Sequence, residues 1–501
     1  MQVKIKYIYF FVLLPCLLMF AGCKKSFLDA DIHGAIPIDS YYKTDEEAIA
    51  ATTSVYNQLK LTYQWGGPYL MKQMLSDEAN KGGGGAGDWP EFKLVQTFTF
   101  DPQNSVINDS WNSFYGIISR ANLVINNVQP ESEIRTRLIA EAKILRAHSY
   151  FELVTLWGAV PIVLDNLPVS SWSDQKRDEV VNVYAQIEKD LSEGFEALLE
   201  KSIYDISDRW RASKGTARGL LLKTYLFEKK WDQAISLFTD IESSNEFSLE
   251  PDFDKIFTWQ SEFGPESLFE VQFTIQGPVT DWLNNNMNIQ LMAPNQDYYT
   301  QASGDGLKPG WGFNIATPKI WNAFVAAGDS GVRRQSTLWS EAELEAKDGK
   351  MDPACYDWEG FLRRKYGSFE SETTSDNGAD FTINYSTNQR LLRYSDVLLM
   401  AAEAYYMKGD EGNALKYLNM VRIRAALPDI TSSGGTVLDA IVKERQLELA
   451  FEGNRFQDLV RWGLAKQELE ARGFVIGKHE LLPIPFSEMQ IDPSLTQNPG
   501  Y

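Results

Sequence analysis

The chain has 501 residues, more than one hydrophobic core of roughly 250 to 300 residues accommodates, so several packed units or a repeat array are expected. A hydrophobic content of 44%, with 14 Trp, 22 Tyr and 27 Phe, excludes wholesale disorder. The 68 acidic residues against 48 basic give a net charge of -20, which repels nucleic-acid phosphates and argues against such a partner, while three scattered histidines (His33, His148, His479) and three cysteines (Cys16, Cys23, Cys355) offer no zinc-ligand spacing.

The first residues read as an export signal. Lys4 and Lys6 precede an apolar run from Tyr7 to Phe20, interrupted by Pro15 and too short, at about 1.5 Å per residue, to span a hydrocarbon layer of roughly 30 Å. Phe20-Ala21-Gly22-Cys23 resembles the bacterial lipobox, with Phe in place of the usual Leu. Residues 1–22 are therefore expected to be a lipoprotein signal peptide, Cys23 the lipidated residue, and 23–44 a linker. Cleavage there leaves Cys355 as the sole thiol besides the lipidated one, so no disulfide framework is available.

Helical periodicity begins at Asp45. Ile49, Thr53, Tyr56 and Leu59 recur at three- and four-residue steps, which predicts a helix over 46–61 ending before Tyr63-Gln64-Trp65-Gly66-Gly67-Pro68, where a loop is expected. Asn80 to Pro90 (NKGGGGAGDWP) reads as a flexible loop with Trp89 at its edge; no Gly-Lys-Ser/Thr follows to make it a phosphate loop. Further helices are predicted at 109–127, 134–157 and 180–199, the second of them stopped by Gly158 and Pro161.

Residues 216–241 and 396–421 form an internal repeat. With Tyr225 aligned on Tyr405, Ala234 falls on Ala414 and Phe238 on Leu418. An aromatic late in one helix, a tight turn and an alanine early in the next let two antiparallel helices cross closely, as in tetratricopeptide repeats of about 34 residues; such units need neighbours to bury their faces. Between the copies, residues 245–390 place many tryptophans among Gly, Pro, Asn and Asp, with short strand-like runs such as Leu268–Phe273. A segment of that length and texture is where a ligand is expected.

Seven segments in order carry a resemblance over nearly the whole chain: AEAKILRAHSYFELVTLWGAVPIV (140–163), KGTARGLLLKTYLFEKKWDQA (214–234), ESLFEVQF (266–273), GWGFNIATPKIWNAF (310–324), RYSDVLLMAAEAYYMKGDEGNALKYLNMVRIRAALP (393–428), KERQLELAFEGNRFQDLVRWG (443–463) and LLPIPFSEMQIDPSLTQNPGY (481–501). The sequence resembles the SusD/RagB family of outer-membrane nutrient-binding lipoproteins. The resemblance implies a mainly all-α fold, with tetratricopeptide-like helical pairs as scaffold and an irregular loop-rich part that holds the ligand. Its regions would be 45–244, the irregular 245–390 and a C-terminal 391–501. It also implies a non-enzymatic role at the outer membrane of a Gram-negative cell, anchored by lipid, facing the exterior and passing glycans, or peptides in some members, to a SusC-like TonB-dependent transporter. No cofactor is implied.

Glu444, Glu448 and Glu452 share a helical face near Arg445, Arg455, Asp458 and Arg461, a pattern of ion pairs rather than of a glycosidase acid and base, and His148 reads as a packing residue. A sugar presents apolar C–H faces and hydroxyl edges, so its site calls for flat rings beside amides and carboxylates. Two segments answer that description: Trp65, Asp77, Asn80 and Trp89 early, and Trp282, Asn284, Asn285, Tyr298, Tyr299 and Trp311 in the middle. A glycan-capture protein is the leading expectation; a glycoside hydrolase and a pure interaction scaffold are the competing ones. No EF-hand pattern supports a calcium site.

Overall fold

A computed structural model describes residues 41–274, 283–304, 306–373, 384–431 and 433–501. The signal peptide, the proposed lipid site Cys23 and most of the linker lie outside them, as does Trp282. In chain order the helices and strands are α1 (Asp45–Gln64), α2 (Gly67–Met74), β1 (Ala79–Gly82), α3 (Pro90–Gln96), α4 (Ser105–Asn127), α5 (Glu133–Trp157), α6 (Val180–Phe195), α7 (Lys214–Phe227), α8 (Trp231–Ser244), β2 (Ser267–Val271), α9 (Met287–Met292), β3 (Tyr299–Thr300) and β4 (Phe313–Ala316). They continue as α10 (Pro318–Ala326), α11 (Val332–Thr337), β5 (Leu338–Ser340), α12 (Glu341–Glu345), β6 (Lys350–Met351), β7 (Phe361–Arg363), β8 (Gln389–Arg393), α13 (Tyr394–Met407), α14 (Glu411–Arg424), α15 (Gly435–Glu448), α16 (Arg455–Arg461), α17 (Ala465–Leu469) and α18 (Phe486–Ile491).

The fold is mainly helical. Helix α1 starts at a capping box in which Glu47 N–H donates to Thr44 Oγ1 at 3.2 Å and Thr44 N–H donates to Glu47 Oε2 at 3.0 Å, satisfying two amides that a bare helix end would strand. Helices α1, α4, α5, α6, α7 and α8 pack in succession, and Val55, Leu59, Phe114, Ile118, Leu145, Leu153 and Ile187 are buried among them.

The repeat folds as two hairpins, α7–α8 and α13–α14, which pack on each other. Both turns are the same device. Lys229 (φ 60°) and Gly409 (φ 82°) hold equivalent left-handed positions, and the next amide donates back to the aligned tyrosine carbonyl, Lys230 to Tyr225 at 2.8 Å and Asp410 to Tyr405 at 2.9 Å. Ala234 and Ala414 are fully buried where the helices cross. At the junction Phe238 meets Tyr417 edge-on with ring centres 4.5 Å apart, and Tyr405 stacks on Tyr417 at 5.6 Å.

Two expected loops differ from the sequence reading. After Trp65 no loop intervenes: Pro68 starts α2 almost at once, because a proline near a helix N-terminus sacrifices no hydrogen bond. The glycine run opens as β1, paired antiparallel with β4 in the register Ala79↔Ala316 and Gly82↔Phe313. Glycine is required there, since a Cβ on Gly82 would sit 2.1 Å from the Gly312 carbonyl oxygen.

The region between the repeats is built from short pieces. Its strands form two-stranded antiparallel pairs, β2 with β8, β3 with β6 and β5 with β7. A small cluster of its own holds Tyr299, Leu307, Trp339, Leu344, Met351, Cys355 and Leu362. Burial, aided by Asp352 and Asp357, pushes the Cys355 thiol up to about 11.

Candidate functional site

The site forms where the end of α1, the β1–α3 loop and the segment around β4 meet. The 283–296 stretch is stitched to α1 by Gln64 Nε2 donating to the Asn285 carbonyl at 3.0 Å and by Gly66 N–H donating to Asn288 Oδ1 at 2.6 Å. Lys60 Nζ donates to Asn284 Oδ1 at 2.7 Å on the same edge. The Gly310-Trp311-Gly312 turn hangs on this segment through Trp311 N–H to Gln290 O at 3.1 Å and Gly312 N–H to Ala293 O at 2.7 Å.

These bonds bring Trp65 and Trp311 together, ring centres 6.0 Å apart and planes inclined 35°. Trp65 is 37% exposed and Trp89 38%. Trp89 joins through Phe92 and Phe313, on which it packs edge-on at 5.2 and 5.7 Å, while the backbone beside Trp65 runs against Phe92: a Cβ on Gly66 would lie 3.4 Å from that ring. Two half-exposed indoles, Trp65 and Trp89, and the partly buried Trp311 thus surround one apolar floor.

Trp89 carries a further mark. Its φ of 45° and ψ of 60° are left-handed, a conformation that costs a bulky L-residue about 1 to 2 kcal/mol and persists only when its surroundings enforce it. Pro90 at the first turn of α3 fixes one side and the two phenylalanines the other. The loop before it is clasped from within by Lys81, fully buried, whose ammonium donates to the carbonyls of Gly85 (2.7 Å) and Asp88 and lies 5.1 Å over the Tyr356 ring. Burial lowers the Lys81 pKa, partly offset by Asp88 and Asp357. Asp357 closes the clasp, accepting from Gly82 N–H at 3.2 Å and pairing with Lys93 at 3.0 Å.

The other sequence-predicted residues lie elsewhere. Asp77 is a correction: it is 2% exposed and faces inward, its carboxylate accepting from Arg455 at 2.9 and 3.1 Å and from Lys319 at 2.9 Å. Burial alone would raise its pKa; Arg455 and Lys319 overcome that and hold it down to about 2. Asn80 is also buried, with its amide spent inside: it donates to Glu359 at 2.8 Å and accepts from Gln96 at 2.9 Å and Arg472 at 2.8 Å. Tyr298 is half-buried against the small cluster that contains Tyr299. Asn285 is buried. Phe92, Phe313, Lys81 and Asp357 were not legible as site builders, since nothing local in sequence announces their pairing across more than 200 residues.

The carboxylates that resemble a catalytic pair are locked away. Glu444 accepts from Arg333 at 2.5 Å and Arg422 at 2.8 Å, Glu448 from Arg393 at 3.1 Å and also from Arg424, and Glu452 from Arg393 at 2.7 Å and Lys365 at 2.9 Å. Burial opposes ionisation of Glu448, but Arg424, Arg393 and Arg333 hold it well below the usual carboxylate range. His148 is 4% exposed beside Tyr63, its Nε2 3.1 Å from the hydroxyl, and burial pushes it down to about 4, so it stays neutral at pH 7. No described helix is long and apolar enough to cross a membrane.

Comparison with known proteins agrees with this architecture. Residues 352–473 match the model of the SusD family, and residues 38–226 match the model described as starch-binding associating with outer membrane. Among solved structures, a laminarin-binding SusD-like protein superposes with a TM-score of 0.83 at 31% identity, covering 92% of this chain and 100% of that one. Surface glycan-binding protein A from Bacteroides thetaiotaomicron superposes with a TM-score of 0.76 at 25% identity, over 92% and 100% of the two chains. SusD-like protein P2 from Formosa agariphila is 28% identical over 97% of this chain and 98% of its own length.

Proposed function

Since the chain belongs to the SusD/RagB family, we propose that it is a surface glycan-binding lipoprotein of the outer membrane that captures an oligosaccharide without cleaving it and delivers it to a SusC-like TonB-dependent transporter. The observation that carries the reading is the convergence of the half-exposed Trp65 and Trp89 with the partly buried Trp311 around one floor, with Trp89 held in a strained backbone conformation. Flat rings of this kind take the apolar faces of pyranoses. A neutral ligand needs no tuned acid or base, and the one carboxylate series that resembles a glycosidase pair is consumed by arginines. A laminarin-type β-glucan is the first cargo to test, because the relative at 31% identity binds laminarin. Lipidation of Cys23 would supply the anchor, and the regions 45–244, 245–390 and 391–501 would serve as helical scaffold, ligand-holding part and closing repeat.

Calorimetry of the protein against laminarin and a panel of plant, microbial and host glycans, with reducing ends followed in the same samples, tests the reading. Saturable binding without new reducing ends is the expected result. New reducing ends would overturn the non-enzymatic assignment, and silence across the panel would turn the assignment toward peptide cargo. Co-purification with a TonB-dependent barrel from mildly solubilised membranes tests the partner.

A further inference from the structure

A cavity of about 330 Å³ opens between α4, the loop 161–175 and the C-terminal stretch 488–495, and it shares no lining residue with the tryptophan face described above. Its volume falls in the range of small-ligand sites. Three aromatic rings form its walls. Trp111 and Tyr115 pack at 5.0 Å on α4, the Tyr115 hydroxyl pinned to the Pro161 carbonyl at 2.8 Å, and Trp172 stands at the mouth. Trp172 is 48% exposed, and its indole N–H donates to the Leu167 carbonyl at 3.2 Å, which fixes the ring while leaving a face open.

The polar edge is acceptor-rich. Asp165, Glu488 and Asp492 line the cavity and no lysine, arginine or histidine does. Asp165 is engaged by Asn126 and Asp492 by Gln175 N–H and Ser494. Glu488 differs: its carboxyl meets no hydrogen-bond partner among the described residues, and burial raises its pKa. The side-chain carbonyl of Gln175 is likewise unused, its amide donating to Ser171 O at 2.8 Å. An anion, whether phosphate, carboxylate or fatty acid, would find no cationic side chain among the lining residues and three carboxylates beside it. What matches is a ring with an apolar face for Trp172 and hydroxyl donors on its edge for Glu488 and Gln175.

We propose that this cavity is a second saccharide subsite, in which Trp172 stacks on a neutral pyranose and Glu488 accepts from its hydroxyls. It would let one molecule hold a long glycan at two points, adding avidity to the Trp65 face without new contacts there.

Fluorine NMR on the protein labelled with 5-fluorotryptophan tests this, with Trp172→Phe and Trp65→Phe assigning the two resonances. The probes are laminarihexaose, cellohexaose and mannohexaose, with choline as a cationic control. The expected result is a saturable shift of the Trp172 signal with at least one hexasaccharide that persists in Trp65→Ala, is retained in Glu488→Gln, and weakens about tenfold in Glu488→Ala, the loss of one hydrogen bond to a partly buried acid. A Trp172 signal that no sugar moves, that choline alone moves, or that loses its response in Trp65→Ala would overturn the proposal. Failure of the first site is distinguishable, because the Trp65 resonance reports it separately.

Discussion

Asp77→Asn discriminates a ligand contact from a structural ion pair, and the structure sets the size of the effect. The side chain is 2% exposed, with Arg455 on both its oxygens at 2.9 and 3.1 Å and Lys319 at 2.9 Å. Its pKa is about 2 in the folded protein against an ordinary 3.8. A depressed carboxylate contributes stability that is present above the unfolded value and lost as the pH falls through the folded one. That gap is worth roughly 2 kcal/mol at neutral pH. The amide also strands Arg455, whose next nearest carboxylate, Glu468, is 3.9 Å away, and breaking a buried pair costs roughly 3 to 5 kcal/mol. The expected loss is therefore about 3 kcal/mol in urea unfolding at pH 7 followed by tryptophan fluorescence, shrinking toward pH 2, with glycan affinity unchanged in the protein that remains folded. Wild-type stability combined with lost binding would refute the reasoning and return Asp77 to the ligand.

Trp65→Ala removes the exposed third or so of an indole, on the order of 90 Å² of stacking surface and about 2 kcal/mol at 25 cal/mol per Å², so calorimetry should show affinity falling roughly 30-fold. Glu78 has the opposite sign to Asp77: burial, with the Asp77 charge second, raises it to about 8 from an ordinary 4.5, so the folded protein keeps a proton that the unfolded chain releases. Stability from this group should fall as the pH rises from about 4.5 to 8, and Glu78→Gln should flatten that slope in urea midpoints taken at pH 5 and pH 8. Phe238→Ala, at the junction of the two repeat hairpins, should cost about 3 to 5 kcal/mol in the same unfolding assay without changing affinity.

The scaffold was legible because its information is local and periodic. Aligning Tyr225 with Tyr405 located both hairpins and the tight turn within each, whose left-handed residues, Lys229 and Gly409, the structure identifies. The tryptophans Trp65, Trp89 and Trp311 were legible as residue types, but their assembly into one face rests on contacts, Trp65 with Trp311 and Trp89 with Phe313, that no local pattern announces. Asp77 and Asn80 were misread for a related reason. A polar residue in a loop-like stretch looks available, and only partners far along the chain, Arg455 for one and Arg472 and Glu359 for the other, decide that it is not. The β1–β4 ladder was invisible because a four-residue strand ending in a glycine carries no alternating pattern.

The irregular region poses a physical problem that the ion pairs answer. Its own apolar clusters are small, and Leu268, Phe269, Leu291, Phe313, Ile320, Phe324 and Leu338 join the main core, but short pieces held by apolar contact alone leave register open. Arg333 on α11, Lys365 beyond β7 and Arg393 at the end of β8 reach instead into the carboxylates of α15 and the turn after it, binding Glu444, Glu448 and Glu452. Arg424 at the end of the second repeat hairpin joins Glu448 to Glu266, just before β2. Buried charges are costly to desolvate, so such a network adds little net stability over apolar packing, but it is intolerant of misregister, because each displaced partner would leave a charge unpaired. Packing thus stabilises both the repeats and the irregular region, and the buried arginines give the loops a unique seat on the repeats. The carboxylate series is thereby committed to structure, which is why the residues that most resemble a catalytic pair are the ones least free to act as one.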